Sequence, residues 1–165
     1  MKIIAAVAAA VILAMFPPHV KDFSGHWRLD IKKSTNLPPS FKDVESYTMD
    51  VRQTPDSMIV VVGLAGGGQN VKFPVTNYLF NGAEVFREDT LRMSKRWIKS
   101  SWSPDNSALI VTSRVEQGTG DKKKEYTQRD EWKMTGASSF EITIAQTFAH
   151  PDSTHNERRV FHKMK

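Results

Sequence analysis

From residue 22 onward, apolar and polar residues alternate and turn-forming residues recur about every ten positions. That is the period-two pattern of half-buried strands, not the 3.6-residue period of helices. Phe23, Gly25, Trp27, Leu29 and Ile31 share one face of a first strand, and Ser24, His26, Arg28, Asp30 and Lys32 share the other. Segment 33–43, with Leu37-Pro38-Pro39, reads as a longer loop. A second strand over 44–54 groups Tyr47, Met49 and Val51. Pro55-Asp56 turns into the run Met58–Val62, and Gly66-Gly67-Gly68 turns into a strand over 69–79. Asn81-Gly82 is the sharpest hairpin signal, because a type I′ turn needs positive φ at both central residues. Strands are then predicted over 83–89, 93–102, 107–116, 123–134, 140–149 and 157–164. SPDN (103–106), QGTGD (117–121), TGASS (135–139) and a polar turn at Pro151-Asp152 separate the later ones.

About ten strands joined mainly by short loops favour an antiparallel meander, and a long meander hides its edges best by closing on itself. The prediction is an all-β, up-and-down antiparallel β-barrel of about 8–10 strands, with a β-sandwich as the competing architecture. No linker divides residues 22–165, which read as one domain.

Residues 1–16 differ in kind. Lys2 is followed by fourteen uncharged apolar residues, too few for a bilayer span of about 20. They read as the core of a signal peptide, with 1–21 removed and the cut between about 14 and 22. The expected location is periplasmic or extracellular, and an uncleaved N-terminal anchor is the alternative. The chain has no Cys, which excludes a disulfide framework and a thiolate nucleophile. Its net charge of +5 suits ordinary solubility and is compatible with an anionic envelope surface.

Gly25-x-Trp27 on the first strand of such a pattern resembles the lipocalin (calycin) signature. The chain also resembles a group of small exported bacterial proteins described as lipocalin-like. The shared features are Asp22-Phe23-Ser24-Gly25-His26-Trp27-Arg28-Leu29 with Lys33-Ser34, Asn81-Gly82-Ala83-Glu84, Trp102-Ser103 through Leu109-Ile110-Val111, Asp130-Glu131-Trp132, and Arg159-Val160-Phe161-His162-Lys163. The likeness spans nearly all of 22–165. It implies that Trp27 plugs the closed end of a barrel and that a basic side chain near the last strand, Arg158 or Arg159, packs across the indole. It implies a fold and a compartment but no substrate.

Catalytic patterns are missing: there is no G-x-S-x-G elbow and no H-E-x-x-H. Gly63-x-x-Gly66-Gly67-Gly68 lacks the Lys-Ser/Thr of a phosphate loop and reads as a hairpin. His150 and His155 flank one turn with Asp152 and Glu157 nearby and His162 on the adjoining strand, but loop histidines in a polar turn are ordinarily solvated, so no metal, cofactor or catalytic group is assigned. The informative residues are polar ones on inward faces. Alternation groups Arg96, Ile98, Ser100 and Trp102; Leu109, Val111, Ser113 and Val115; Tyr126, Gln128, Asp130 and Trp132; and Phe140, Ile142, Ile144, Gln146 and Phe148. Arg96, Trp102, Ser113, Tyr126, Gln128, Asp130 and Gln146 are therefore candidates to line a ligand cavity. Buried polar groups either satisfy one another, as an Arg96–Asp130 pair could, or face a wet pocket. On the outward face of 93–102, Lys95, Trp97 and Lys99 form a basic aromatic patch, unless loop 33–43 covers Trp97; Arg92 and the Lys122-Lys123-Lys124 turn add charge.

Three functions follow. The first is non-enzymatic binding of a small apolar or amphipathic molecule in the barrel. The second is an anionic glycan or lipid module using the Trp97 face over a filled barrel. The third is a barrel enzyme using Asp130. One aromatic in the basic patch is too few for a nucleic-acid surface. A monomer or a small homo-oligomer suits each of the three.

Overall fold

The computed structural model describes residues 20–90, 93–149 and 153–165, with Lys122 in backbone only. Among these residues eleven strands form one antiparallel sheet: β1 Gly25–Leu29, β2 Ser46–Gln53, β3 Ser57–Gly66, β4 Gln69–Lys72, β5 Thr76–Leu79, β6 Val85–Asp89, β7 Ser94–Trp102, β8 Ala108–Gln117, β9 Lys124–Gly136, β10 Ser139–Phe148 and β11 Ser153–Lys163. Single 3-10 turns at Pro39–Phe41 and Gly120–Lys122 are the helical elements among the described residues.

The strand order is β4-β3-β2-β1-β11-β10-β9-β8-β7-β6, so the first strand bonds to the last and the meander curls into a barrel. One sheet, not two, removes the sandwich alternative. The ring has a seam. β5 pairs β3 over four residues and reaches β7 through an isolated bridge, Asn81↔Ser101. Ser100 Oγ donates to the Leu79 carbonyl at 2.8 Å and Gly82 N donates to the Ser100 carbonyl at 3.0 Å. Further along the seam Arg87 on β6 donates to Thr76 Oγ1 and, at 2.8 Å, to the Pro74 carbonyl. Backbone ladders alone do not close the barrel.

Two expectations are corrected here. The single strand over 69–79 is two strands, because Pro74 has no N–H to give a ladder and sends the chain from one part of β3 to another. Asn81-Gly82 is not a type I′ hairpin turn. Gly82 has φ 75° but Asn81 is not in the left-handed region; its Oδ1 accepts from Ala83 N at 3.0 Å, and the strands on either side do not form a ladder. The type I′ geometry belongs to Gly67-Gly68, with φ 57° and 73°, between the paired Gly66 and Gln69.

Inward positions follow the predicted alternation, with Met49 and Val51 on β2, Ile98 on β7, Leu109, Val111 and Val115 on β8, and Phe140, Ile142 and Ile144 on β10 all buried. Ile31 departs from it: β1 ends at Leu29, and Ile31 lies 40 % exposed in a turn. One end of the barrel is plugged by aromatic rings. Trp27, Phe23, Phe140 and Phe161 are fully buried. Phe140 stacks on Phe161 at 4.8 Å and meets Trp27 edge-on at 4.7 Å, the offset and T-shaped geometries that ring quadrupoles favour. Trp27 Nε1 donates to the Phe23 carbonyl at 2.8 Å, so burial leaves no indole donor unpaired.

Trp27 does plug the closed end, but the cation across it is Lys163, whose Nζ lies 5.4 Å from the ring centroid. Arg158 and Arg159 are not there. In the β1–β11 register Trp27 faces Lys163, so Arg159 is four residues, about 13 Å, along the strand. Arg158 points outward to Glu141, with Nη2 to Oε2 at 2.6 Å, and Arg159 points inward. Gly25 makes room for the lysine: a Cβ there would lie 2.6 Å from Lys163 Cε, and its φ of +147° strains any L side chain.

Candidate ligand cavity

Above the aromatic plug the barrel is hollow. A cavity of about 650 Å³ runs from Trp132 and Met49 toward the end formed by Phe41, Phe73 and Gln117. The volume lies within the usual 300–1,000 Å³ range of small-molecule sites. Its mouth is partly roofed by the 3-10 turn Pro39–Phe41, where Phe41 stacks on Tyr47 at 5.7 Å. Gly66 fixes this roof: a Cβ there would collide with the Asp43 carbonyl oxygen.

Five of the seven candidate lining residues, Arg96, Tyr126, Gln128, Asp130 and Gln146, do line this cavity. They are brought together by register, since Gln146 pairs Gln128 across β10–β9, and Gln128 lies two residues before Asp130 on one face. Gln128 is the hub. Its Oε1 accepts from Arg96 Nη2 at 2.9 Å and from Gln146 Nε2 at 3.0 Å, and its Nε2 donates to Asp130 Oδ1 at 2.8 Å. The expected Arg96–Asp130 pair is thus relayed by an amide. Burial holds the Asp130 carboxyl up at about 6, against the pull of the Gln128 hydrogen bond and of the Arg96 and Arg159 charges, with Glu157 adding to the rise. The Tyr78 phenol is pushed up by burial and by the nearby Asp130 charge. The Asp130 partner is an amide, which neither gives nor takes a proton, so the geometry suits holding a polar group better than relaying protons.

The remaining two candidates do not line the cavity. Trp102 belongs to the plug, stacked on Phe23 at 6.0 Å and edge-on to Phe80 at 5.4 Å. Ser113 is buried in the barrel wall opposite Gln128 on the neighbouring strand.

Two residues that the sequence reading assigned elsewhere are part of the site. Glu157 is 3 % exposed and bonds Arg159 through Oε1, while Arg159 also reaches the Tyr47 hydroxyl at 3.4 Å and lies 5.0 Å from the Phe41 centroid. The parity of β11 held the clue, since His155, Glu157, Arg159 and Phe161 share a face. It is blurred because the outward Val160 is also buried, in the stretch of β11 that segment 30–35 runs along: Asp30 N donates to the Val160 carbonyl at 2.8 Å, and Thr35 pairs Arg158.

The outer patch is differently built. Loop 33–43 does not cover Trp97; Arg114 lies 3.7 Å over its ring and Phe86 packs at 5.3 Å. Lys95 pairs Glu88 on β6 at 3.8 Å and Lys99 pairs Glu84, the residue before β6, at 3.7 Å, so the lysine charges are offset locally. Of the histidines, His162 meets Asp30 Oδ2 at 3.1 Å and His26 bonds Asp50, and no cluster of three metal-ligating side chains occurs among the described residues. His19, Arg92, His150, Pro151, Asp152 and segment 1–16 lie outside the described residues.

A meander barrel whose last strand returns to its first, plugged at one end by a first-strand Trp under a last-strand cation, is a lipocalin-like, calycin-type β-barrel. Among solved structures, a Schistosoma mansoni fatty acid binding protein in complex with arachidonic acid is similar over 88 % of this chain and 98 % of its own, with a TM-score of 0.51 and 16 % identity. A fatty acid transporter named REP1-NXSQ aligns over 86 % of this chain and 96 % of its own, with a TM-score of 0.47 and 14 % identity. No protein-family profile matches the chain. No curated protein matches it either.

Proposed function

We propose that the protein is an exported carrier that holds one small, largely apolar amphipath inside the barrel. The observation that carries this reading is the cavity of about 650 Å³, apolar toward the plug and polar around Gln128. Such a division suits a molecule with a hydrocarbon part and one orienting polar end. The arachidonic acid complex of the similar Schistosoma barrel supports the same reading. Export rests on the apolar run at residues 3–16. Phe23 is fully buried in the plug, which supports a cut that leaves it in the processed chain.

The test is binding of a neutral, polarity-sensitive dye to the wild type and to Ile144→Trp, which projects an indole into the cavity. The expected result is saturable one-to-one binding by the wild type and at least about tenfold weaker binding by the variant, with strand content unchanged by circular dichroism. Equal dye binding by the two proteins would place the site outside the barrel. N-terminal sequencing of the exported protein should begin between about residues 15 and 23.

A further inference from the structure

We propose that the cavity selects an uncharged amphipath whose polar end both donates and accepts hydrogen bonds, such as a hydroxyl-bearing lipid, over the matching carboxylate. The inference rests on the cavity reading above and names the ligand class for it.

Three observations carry it. First, the charged side chains lining the cavity are balanced: Arg87, Arg96 and Arg159 against Asp89, Asp130 and Glu157. Arg159 is already paired with Glu157, so it is not a spare cation for an anion, and the Arg96 guanidinium bonds the neutral Gln128 amide in a cavity it shares with the Asp130 carboxylate. Second, Glu157 Oε2 is buried without a protein partner. A buried acceptor calls for a donor, and a carboxylate ligand has none to give. Third, Arg159 Nε and Trp132 Nε1 are buried donors without protein partners, and their residues line the same space. A hydroxyl can donate to one kind of group and accept from the other.

Register places the two acids at one height. Ile144 pairs Glu157 on one side and Asp130 on the other, so the two backbones are two strand spacings, about 10 Å, apart. An anionic head entering between them meets like charge on both sides. The groups facing Asp130 are Gln128 on its own strand, Arg96 on β7, Tyr78 on β5, and Glu157 and Arg159 on β11. Burial already disfavours the ionised Asp130, so a further negative charge in the same space is opposed twice.

The experiment is isothermal titration of the delipidated full chain with dodecanol and with dodecanoate at about pH 7.5. The alcohol is expected to bind at least about tenfold tighter than the acid. Glu157→Gln is expected to narrow that ratio to about threefold or less, by improving the acid. Asp130→Asn, which keeps the Arg159 contacts, provides the same reading should Glu157→Gln fail to fold. Dodecanoate binding as tightly as dodecanol, or a ratio unmoved by the variants, overturns the proposal while leaving the carrier reading intact. Binding of neither probe overturns both.

Discussion

Replacing Asp130 with asparagine should stabilise the protein near neutral pH and do little near pH 4. The folded-state pKa is raised from 3.8 to about 6. Between those values the native state binds more protons than the unfolded state, so stability falls as pH rises, and the full penalty is present above about pH 6. A shift of about two units corresponds to about 3 kcal/mol at neutral pH. Asparagine cannot ionise, yet its carbonyl can still accept from Gln128 Nε2, now 2.8 Å from Asp130 Oδ1. The variant should therefore gain up to about 3 kcal/mol near pH 7, or roughly 6–12 °C in Tm for a domain of this size. Near pH 4 the wild-type carboxyl is already neutral in the folded state and the gain should shrink toward zero. Urea titrations at the two pH values measure it. An equal effect at both, or destabilisation at neutral pH, would refute the reasoning and show that Arg96 and Arg159 more than compensate the buried charge.

Other consequences can be checked alongside. Trp27→Ala removes the largest ring of the plug and should cost about 3–5 kcal/mol in denaturant unfolding, whereas Lys163→Ala should cost on the order of 1 kcal/mol. Arg159→Ala should leave the Trp27 fluorescence environment unchanged while weakening the roof at Phe41 and Tyr47, seen as faster dye release; a shifted Trp27 signal would restore Arg159 to the barrel end. Gly66→Ala, forced against the Asp43 carbonyl, should destabilise by on the order of 2 kcal/mol, and a neutral effect would mean the 38–44 segment is not held as described. Trp97→Ala with Lys95→Ala and Lys99→Ala should leave dye binding unaltered, because these residues lie on the outer face.

The barrel was legible because period-two alternation survives wherever one face is buried and the other solvated. That holds along the middle of β7 to β10, and the polar members of those faces led to the Arg96, Gln128, Asp130 and Gln146 network, while Ser94 and Gln117 at the strand ends, which also line the cavity, were not placed. The seam was not legible. Whether Asn81-Gly82 joins paired strands depends on what lies beside β5, and the chain crosses there to β7 instead of turning back. Register was also out of reach: Arg159 and Lys163 differ by four residues, equally basic in sequence, and only the pairing of Trp27 with Lys163 decides which crosses the indole. Glu157 was grouped with the histidine turn and not with the cavity because strand β11 is buried on both faces near Val160 and Phe161, which removes the parity signal.

The central claim is that the barrel interior is an accessible site for one apolar molecule. Native mass spectrometry of the delipidated protein titrated with dodecanol tests it most directly. The account predicts a single saturating adduct, lost in Ile144→Trp. An unchanged protein mass at every concentration, or a ladder of non-saturating adducts shared by the variant, would contradict it.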